Sequence, residues 1–111
     1  MTAPALDSGI AEYSAIIGLD ALQTDQPTRV EVEGRVICVL RTESELIAFE
    51  DRCPHRGEPL SNGSCRDGIL KCRLHGWEFA TDDGMAVSPK APFGLEMLDL
   101  RVSDGTVEVV L

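Results

Sequence analysis

Cys53-Pro54-His55-Arg56-Gly57 and Cys72-Arg73-Leu74-His75-Gly76-Trp77, with sixteen residues between His55 and Cys72, form the stretch around which this chain is arranged. Each half offers one thiol and one imidazole, so together they present four candidate metal ligands of two kinds. They use both histidines of the protein. The spacings Cys-x-His and Cys-x-x-His are too tight for a continuous helix or strand, so each half must be a loop that turns back on itself. Gly57 and Gly76, directly after the histidines, supply the backbone freedom for that turn. The insert between the halves is long enough to run out as one hairpin and return the second loop beside the first. Within it Ser61-Asn62-Gly63 and Asp67-Gly68 are turn signals, and Ile69-Leu70 leads into Cys72 as a short strand.

Two cysteines with two histidines are also a zinc ligand set. Zinc sites of that composition usually pair Cys with Cys and His with His along the chain, whereas each loop here mixes the two. The mixed pattern resembles the Rieske iron-sulfur family at every ligand position. In that family two cysteines hold one iron of a [2Fe-2S] cluster and two histidines hold the other. The resemblance is close over residues 48–79 and looser in the flanks. It implies that Cys53, His55, Cys72 and His75 are the cluster ligands. It also implies an all-β fold, an antiparallel β sandwich or barrel with a small cluster-binding subdomain at one tip, where the histidines reach the surface. Structural zinc stays open as the alternative.

At 111 residues one domain is expected, with a cluster-binding region at about 52–80 and a basal sheet from about 12–51 and 81–111. Composition, 43% hydrophobic and 26% charged, is that of an ordinary globular protein. No apolar run has membrane-spanning length, and residues 1–8 lack the basic region and apolar core of a signal peptide. A cytoplasmic location, no membrane partner and a disordered lead-in over 1–8 are therefore expected. The net charge of −9 argues against a nucleic-acid binder. Between Arg52 and Arg73, however, five basic residues (Arg52, Arg56, Arg66, Lys71, Arg73) face two acids (Glu58, Asp67). This reads either as a solvated surface or as a cationic collar round the site on an acidic body.

Taken in order, residues 12–17 suggest a strand ending at Gly18, and residues 19–22 a single helical turn. Thr28 to Glu33 alternates cleanly, placing Val30 and Val32 on one face. Glu33-Gly34 turns into Val36 to Leu40, and Glu43 to Glu45 into Leu46 to Phe49, so three strands feed into Cys53. Cys38 shares a strand face with Val36 and Leu40 and reads as a small buried hydrophobe. Cys65, in a turn-rich stretch, could be exposed, and a Cys38 to Cys65 disulfide stays open. After Trp77 to Ala80, residues 85–94, with Pro89 and Pro92, read as a stiff irregular loop. The resemblance implies a proline there that covers one side of the cluster. Leu98 to Val102 and Thr106 to Val110 read as a closing hairpin.

With neutral imidazoles on one iron, the oxidised cluster is formally uncharged and gains one negative charge on reduction. Four thiolates would add two further negative charges. Rieske potentials accordingly fall at roughly −150 to +300 mV against about −400 mV for plant-type ferredoxins. Respiratory Rieske proteins add a disulfide and two hydroxyls beside the cluster, where this chain has Glu58, Leu74, Trp77 and Phe79. A low potential within the range is expected. The chain thus looks similar to the Rieske-type ferredoxin of a bacterial multicomponent oxygenase acting on aromatic compounds. Such a ferredoxin is a monomeric carrier that takes one electron from a flavoprotein reductase and passes it to a terminal oxygenase. No histidine is left over for the mononuclear iron of an oxygenase. The wording of the two loops is nonetheless close to the Rieske domain of oxygenase large subunits. A domain or small subunit of a larger redox enzyme, of oxygenase or nitrite reductase type, is the alternative, and a zinc-stabilised interaction module is a third.

Overall fold

The computed structural model describes residues 12–111. The lead-in expected over 1–8 lies outside the described residues. Among the described residues twelve strands follow one another: β1 (Tyr13–Gly18), β2 (Thr28–Val32), β3 (Arg35–Arg41), β4 (Leu46–Glu50), β5 (Ser64–Arg66), β6 (Ile69–Lys71), β7 (Glu78–Ala80), β8 (Met85–Ser88), β9 (Lys90–Gly94), β10 (Met97–Leu98), β11 (Leu100–Ser103) and β12 (Thr106–Val110). The only helical pieces among the described residues are two 3-10 turns, Leu19–Ala21 and Leu60–Asn62, so no described helix is long and apolar enough to cross a membrane.

The strands form three antiparallel sheets, ordered β10-β4-β3-β2, β11-β12-β1 and β9-β8-β7-β6-β5. In the first, the central strands β3 and β4 are covered on both faces. Ile37, Val39 and Ala48 pack against Val107 and Val109 of the three-stranded sheet. On the opposite face Cys38, Leu40, Ile47 and Phe49 continue into Leu60 of the second 3-10 turn and into Cys65, Leu70 and Phe79 of the five-stranded sheet. This explains the unbroken apolar run Val36 to Leu40. A strand wet on one side alternates, as β2 does, whereas one covered on both sides has no polar face to show. The cross-strand partners keep this order, since Cys38 opposes Phe49 and Val39 opposes Ala48.

Cys53 and Cys72 belong to the second of these cores, at 2% and 1% exposure. The five-stranded sheet is the return path of the insert, with Asp67-Gly68 turning β5 into β6 at the register Arg66 opposite Ile69. The hydrophobic layer that supports the sheet therefore extends without a break to the sulfur atoms.

Three expectations are corrected. Residues 85–94 are a hairpin, β8 with β9, that adds two strands to the insert sheet. The signal for a loop was the two prolines. Pro89 sits at the hairpin tip after a cis bond, and Pro92 lies in the edge strand, where a missing N–H costs nothing. Cys65 is buried, because β5 alternates and turns Ser64 and Arg66 outward. The closing hairpin begins at Leu100. Leu98 belongs to β10 and pairs with Ala48 in the other sheet, so the chain changes sheets at Asp99. Period-two alternation runs through Leu98-Asp99-Leu100 undisturbed, since it reports which face is buried and not which strand is the partner.

Candidate metal centre

The two ligand loops have one backbone design. The N–H of Cys53 donates to the carbonyl of Glu58 and the N–H of Cys72 to that of Trp77, both at 2.8 Å. In each, the cysteine is closed onto the residue five positions later, with a glycine at the fourth. Gly57 and Gly76 lie at φ +79° and +71°, the left-handed region that a side chain resists. The loops differ in where the histidine falls, second after Cys53 and third after Cys72. His75 itself takes φ +70°. A non-glycine residue held there stores strain, a feature that concentrates at functional sites.

The side chains sort by kind. The Cys53 and Cys72 side chains lie in the same buried core cluster. The His55 and His75 rings meet edge to face, with centroids 5.3 Å apart and planes at 88°. His55 is half-buried and His75 exposed. Among the described residues, no three His, Cys, Asp or Glu side chains close round one point. The paired arrangement suits a group with a sulfur-ligated end and a nitrogen-ligated end. Burial pushes the Cys72 thiol up to about 11, and the neighbouring Cys53 and Glu58 add to the shift. A metal binding here must therefore expel a firmly held proton. Burial, then Arg56 and His75, hold the His55 imidazole below its ordinary value, which favours the neutral ring that a metal uses.

All four cysteines are free, so the Cys38 to Cys65 disulfide is excluded. Burial, with Asp51 nearby, raises the Cys38 thiol far above its usual range. Burial, and then the Asp25 carboxylate, push Cys65 up to about 11. Both are inert packing residues, which the strand pattern indicated for Cys38 and not for Cys65.

Two features went unread in the sequence. Phe93, on β9, stacks on Trp77 with centroids 5.3 Å apart, and Trp77 stacks on His55 at 4.5 Å, both pairs with planes at 17°. The residue of this segment that reaches the site is thus Phe93. Pro89 and Pro92, expected as candidates for covering it, are exposed. Asp51, two residues before Cys53, is buried and accepts hydrogen bonds from the N–H and hydroxyl of Ser61. An acidic residue ahead of a ligand loop has no local signature, since its partner lies ten positions away.

Residues 13–98 match the Rieske [2Fe-2S] domain. The chain is 27% identical to the ferredoxin component of the alkene monooxygenase system of Xanthobacter autotrophicus, over 95% of this chain and 86% of that protein. A further 69-residue match, 44% identical, is to 4beta-methylsterol monooxygenase of Methylococcus capsulatus, and it spans 60% of this chain but only 19% of that protein. Among solved structures, a chain in the complex of reduced oxygenase and oxidized ferredoxin of carbazole 1,9a-dioxygenase superposes with a TM-score of 0.79 at 26% identity, covering 88% of this chain and 92% of that one. With its three-sheet fold, its paired thiols and imidazoles and a family match across most of its length, this chain belongs to the Rieske [2Fe-2S] domain family.

Proposed function

We propose that this protein is a Rieske-type ferredoxin, a one-electron carrier and not itself a catalyst, in which Cys53 and Cys72 hold one iron of a [2Fe-2S] cluster and His55 and His75 the other. The observation that carries this reading is the sorting of the donors, with both sulfurs sealed in the core and both imidazoles at the surface. The bound cluster supplies reversible one-electron chemistry at a histidine-ligated iron. Around it, the chain's own residues exclude water from the sulfurs and offer imidazole edges to a docking partner.

The partners in this proposal are a flavoprotein reductase, which gives the electron, and a terminal oxygenase, which takes it. Docking would be transient and at the cluster tip, by a monomer in the cytoplasm. The charges refine that picture. Of the five basic residues of the expected collar, Arg52 pairs with Glu96 at 2.8 Å, Arg73 with Glu58 at 3.6 Å and Arg66 with Asp67 at 3.9 Å. Arg56 and Lys71 have no such partner among the described residues and are exposed, with the Lys71 stem lying against Gly76. Two cations beside the imidazoles, on an otherwise acidic surface, suit an encounter with an acidic rim on the partner.

An EPR spectrum of the dithionite-reduced protein, with iron, sulfide and zinc assayed on the same sample, tests the assignment. A rhombic signal of low average g with two irons per chain is expected. A silent sample holding one zinc would overturn it. The 44% identity with a methylsterol monooxygenase supports a second reading, a Rieske domain that works inside a larger redox enzyme. Isolation in a stoichiometric complex with a large catalytic subunit would favour that reading over the free carrier.

A further inference from the structure

We infer that Trp77 and Phe93 are positioning residues for His55, through a stack of three rings that sets the plane of that imidazole. The inference rests on the reading of His55 as a cluster ligand. Histidine ligands are ordinarily oriented by a hydrogen bond from the second ring nitrogen to a carboxylate or carbonyl. The recorded contacts of the His55 ring with the described residues are aromatic instead. Its face lies on Trp77 at 4.5 Å with planes at 17°, and it meets His75 edge to face at 5.3 Å.

The stack ties together three separate segments. Trp77 closes the second ligand loop through the hydrogen bond to its carbonyl from Cys72, so its indole reaches from one loop to the histidine of the other. Phe93 backs the indole from β9. Trp77 is partly buried and packs against the core cluster that holds Cys53 and Cys72. β9 is itself held tightly, since a side chain at Gly94 would come within 2.2 Å of the Gly84 carbonyl. Among the described residues His75 has no matching stack; its place is set by the left-handed backbone at φ +70°. The two imidazoles are therefore fixed by different means, one by ring packing and one by backbone conformation.

The test uses the cluster-loaded protein carrying Trp77→Leu, Trp77→Phe or Phe93→Leu, reduced with dithionite. Pulsed EPR reads the nitrogen couplings, and iron and sulfide are assayed per chain. In the wild type, two sharp nitrogen couplings are expected. Trp77→Leu should lose the sharpness of one while keeping the other, and Trp77→Phe should restore it. Phe93→Leu should broaden the same coupling, with iron and sulfide at the wild-type ratio. Two sharp couplings in both leucine variants would overturn the inference, as would equal broadening of both nitrogens, which would mean general loosening. Should Trp77→Leu fail to load, Phe93→Leu decides alone by the same criterion. A wild type without two coupled nitrogens would overturn the ligand assignment itself, and this inference with it.

Discussion

Ser61 donates two hydrogen bonds to the buried carboxylate of Asp51, from its N–H at 2.7 Å and from its hydroxyl at 2.6 Å. Asp51 closes the basal sheet just ahead of Cys53, and Ser61 opens the insert. One carboxylate thus ties the start of the first ligand loop to the turn that leaves it. Arg29 of β2 lies 3.6 Å from the same group and balances its charge. Removing the hydroxyl alone leaves a buried charge with one donor fewer. Ser61→Ala is expected to cost roughly 1–3 kcal/mol. That corresponds to about 4 °C in Tm per kcal/mol for a chain of this size. Calorimetry on the holoprotein measures it, and an unchanged Tm would mean that the pair does not hold the insert.

Backbone contact predicts a second effect. A Cβ at Gly63 would lie 2.2 Å from the Lys71 carbonyl, and one at Gly94 would lie 2.2 Å from the Gly84 carbonyl and 2.7 Å from the Met85 Cα. Neither neighbour is a flexible side chain. Gly63→Ala and Gly94→Ala should each destabilise by about 1–3 kcal/mol, the scale of overpacking strain. Gly18→Ala, with nothing within 4 Å, is the control and should leave the denaturation midpoint in place.

Replacing an imidazole with a thiolate changes the charge at the iron. His75→Cys is expected to retain part of the cluster and to lower its potential by at least about 100 mV, towards that of clusters held by four thiolates. Voltammetry reads the shift directly. An unchanged potential would remove His75 from the ligand set.

The two exposed cations at the tip should act on encounter. Arg56→Glu with Lys71→Glu is expected to slow association with an acidic partner on the order of tenfold or more at low salt. The effect should fade as the screening length drops to about 3 Å at 1 M salt. Stopped-flow rates against ionic strength check this. Asp104→Lys, on the β11–β12 turn of the basal sheet, should change them little.

The spare thiols give a prediction in pH. The Cys65 value of about 11 exceeds that of an exposed thiol, near 8.5, so its thiolate at pH 8 is scarcer on the order of 100-fold. Cys38 lies in the same direction and further from the ordinary value. Neither should react with iodoacetamide at pH 8 in the folded holoprotein, which mass spectrometry can follow. A raised thiol value means that the unfolded chain loses its proton first. Stability from these two groups is therefore intact below about 8.5 and declines as alkali is added above it.

The sequence by itself determined the set of candidate donors. Cys53, His55, Cys72 and His75 could be picked out as candidate ligands from spacing, because a metal loop must bring its donors together within a few residues and the signal is local. Strand faces in β2, and the turns at Glu33-Gly34 and Asp67-Gly68, were legible for the same reason. Tertiary structure alone decided what joins one segment to another. It placed Leu98 in a different sheet from Leu100, folded the proline-bearing segment into a hairpin, and paired Asp51 with Ser61. It also laid Phe93 against Trp77, sixteen residues away. Periodicity reports which face of a strand is dry, while the identity of the surface drying it depends on packing between distant parts of the chain, and no local pattern encodes that.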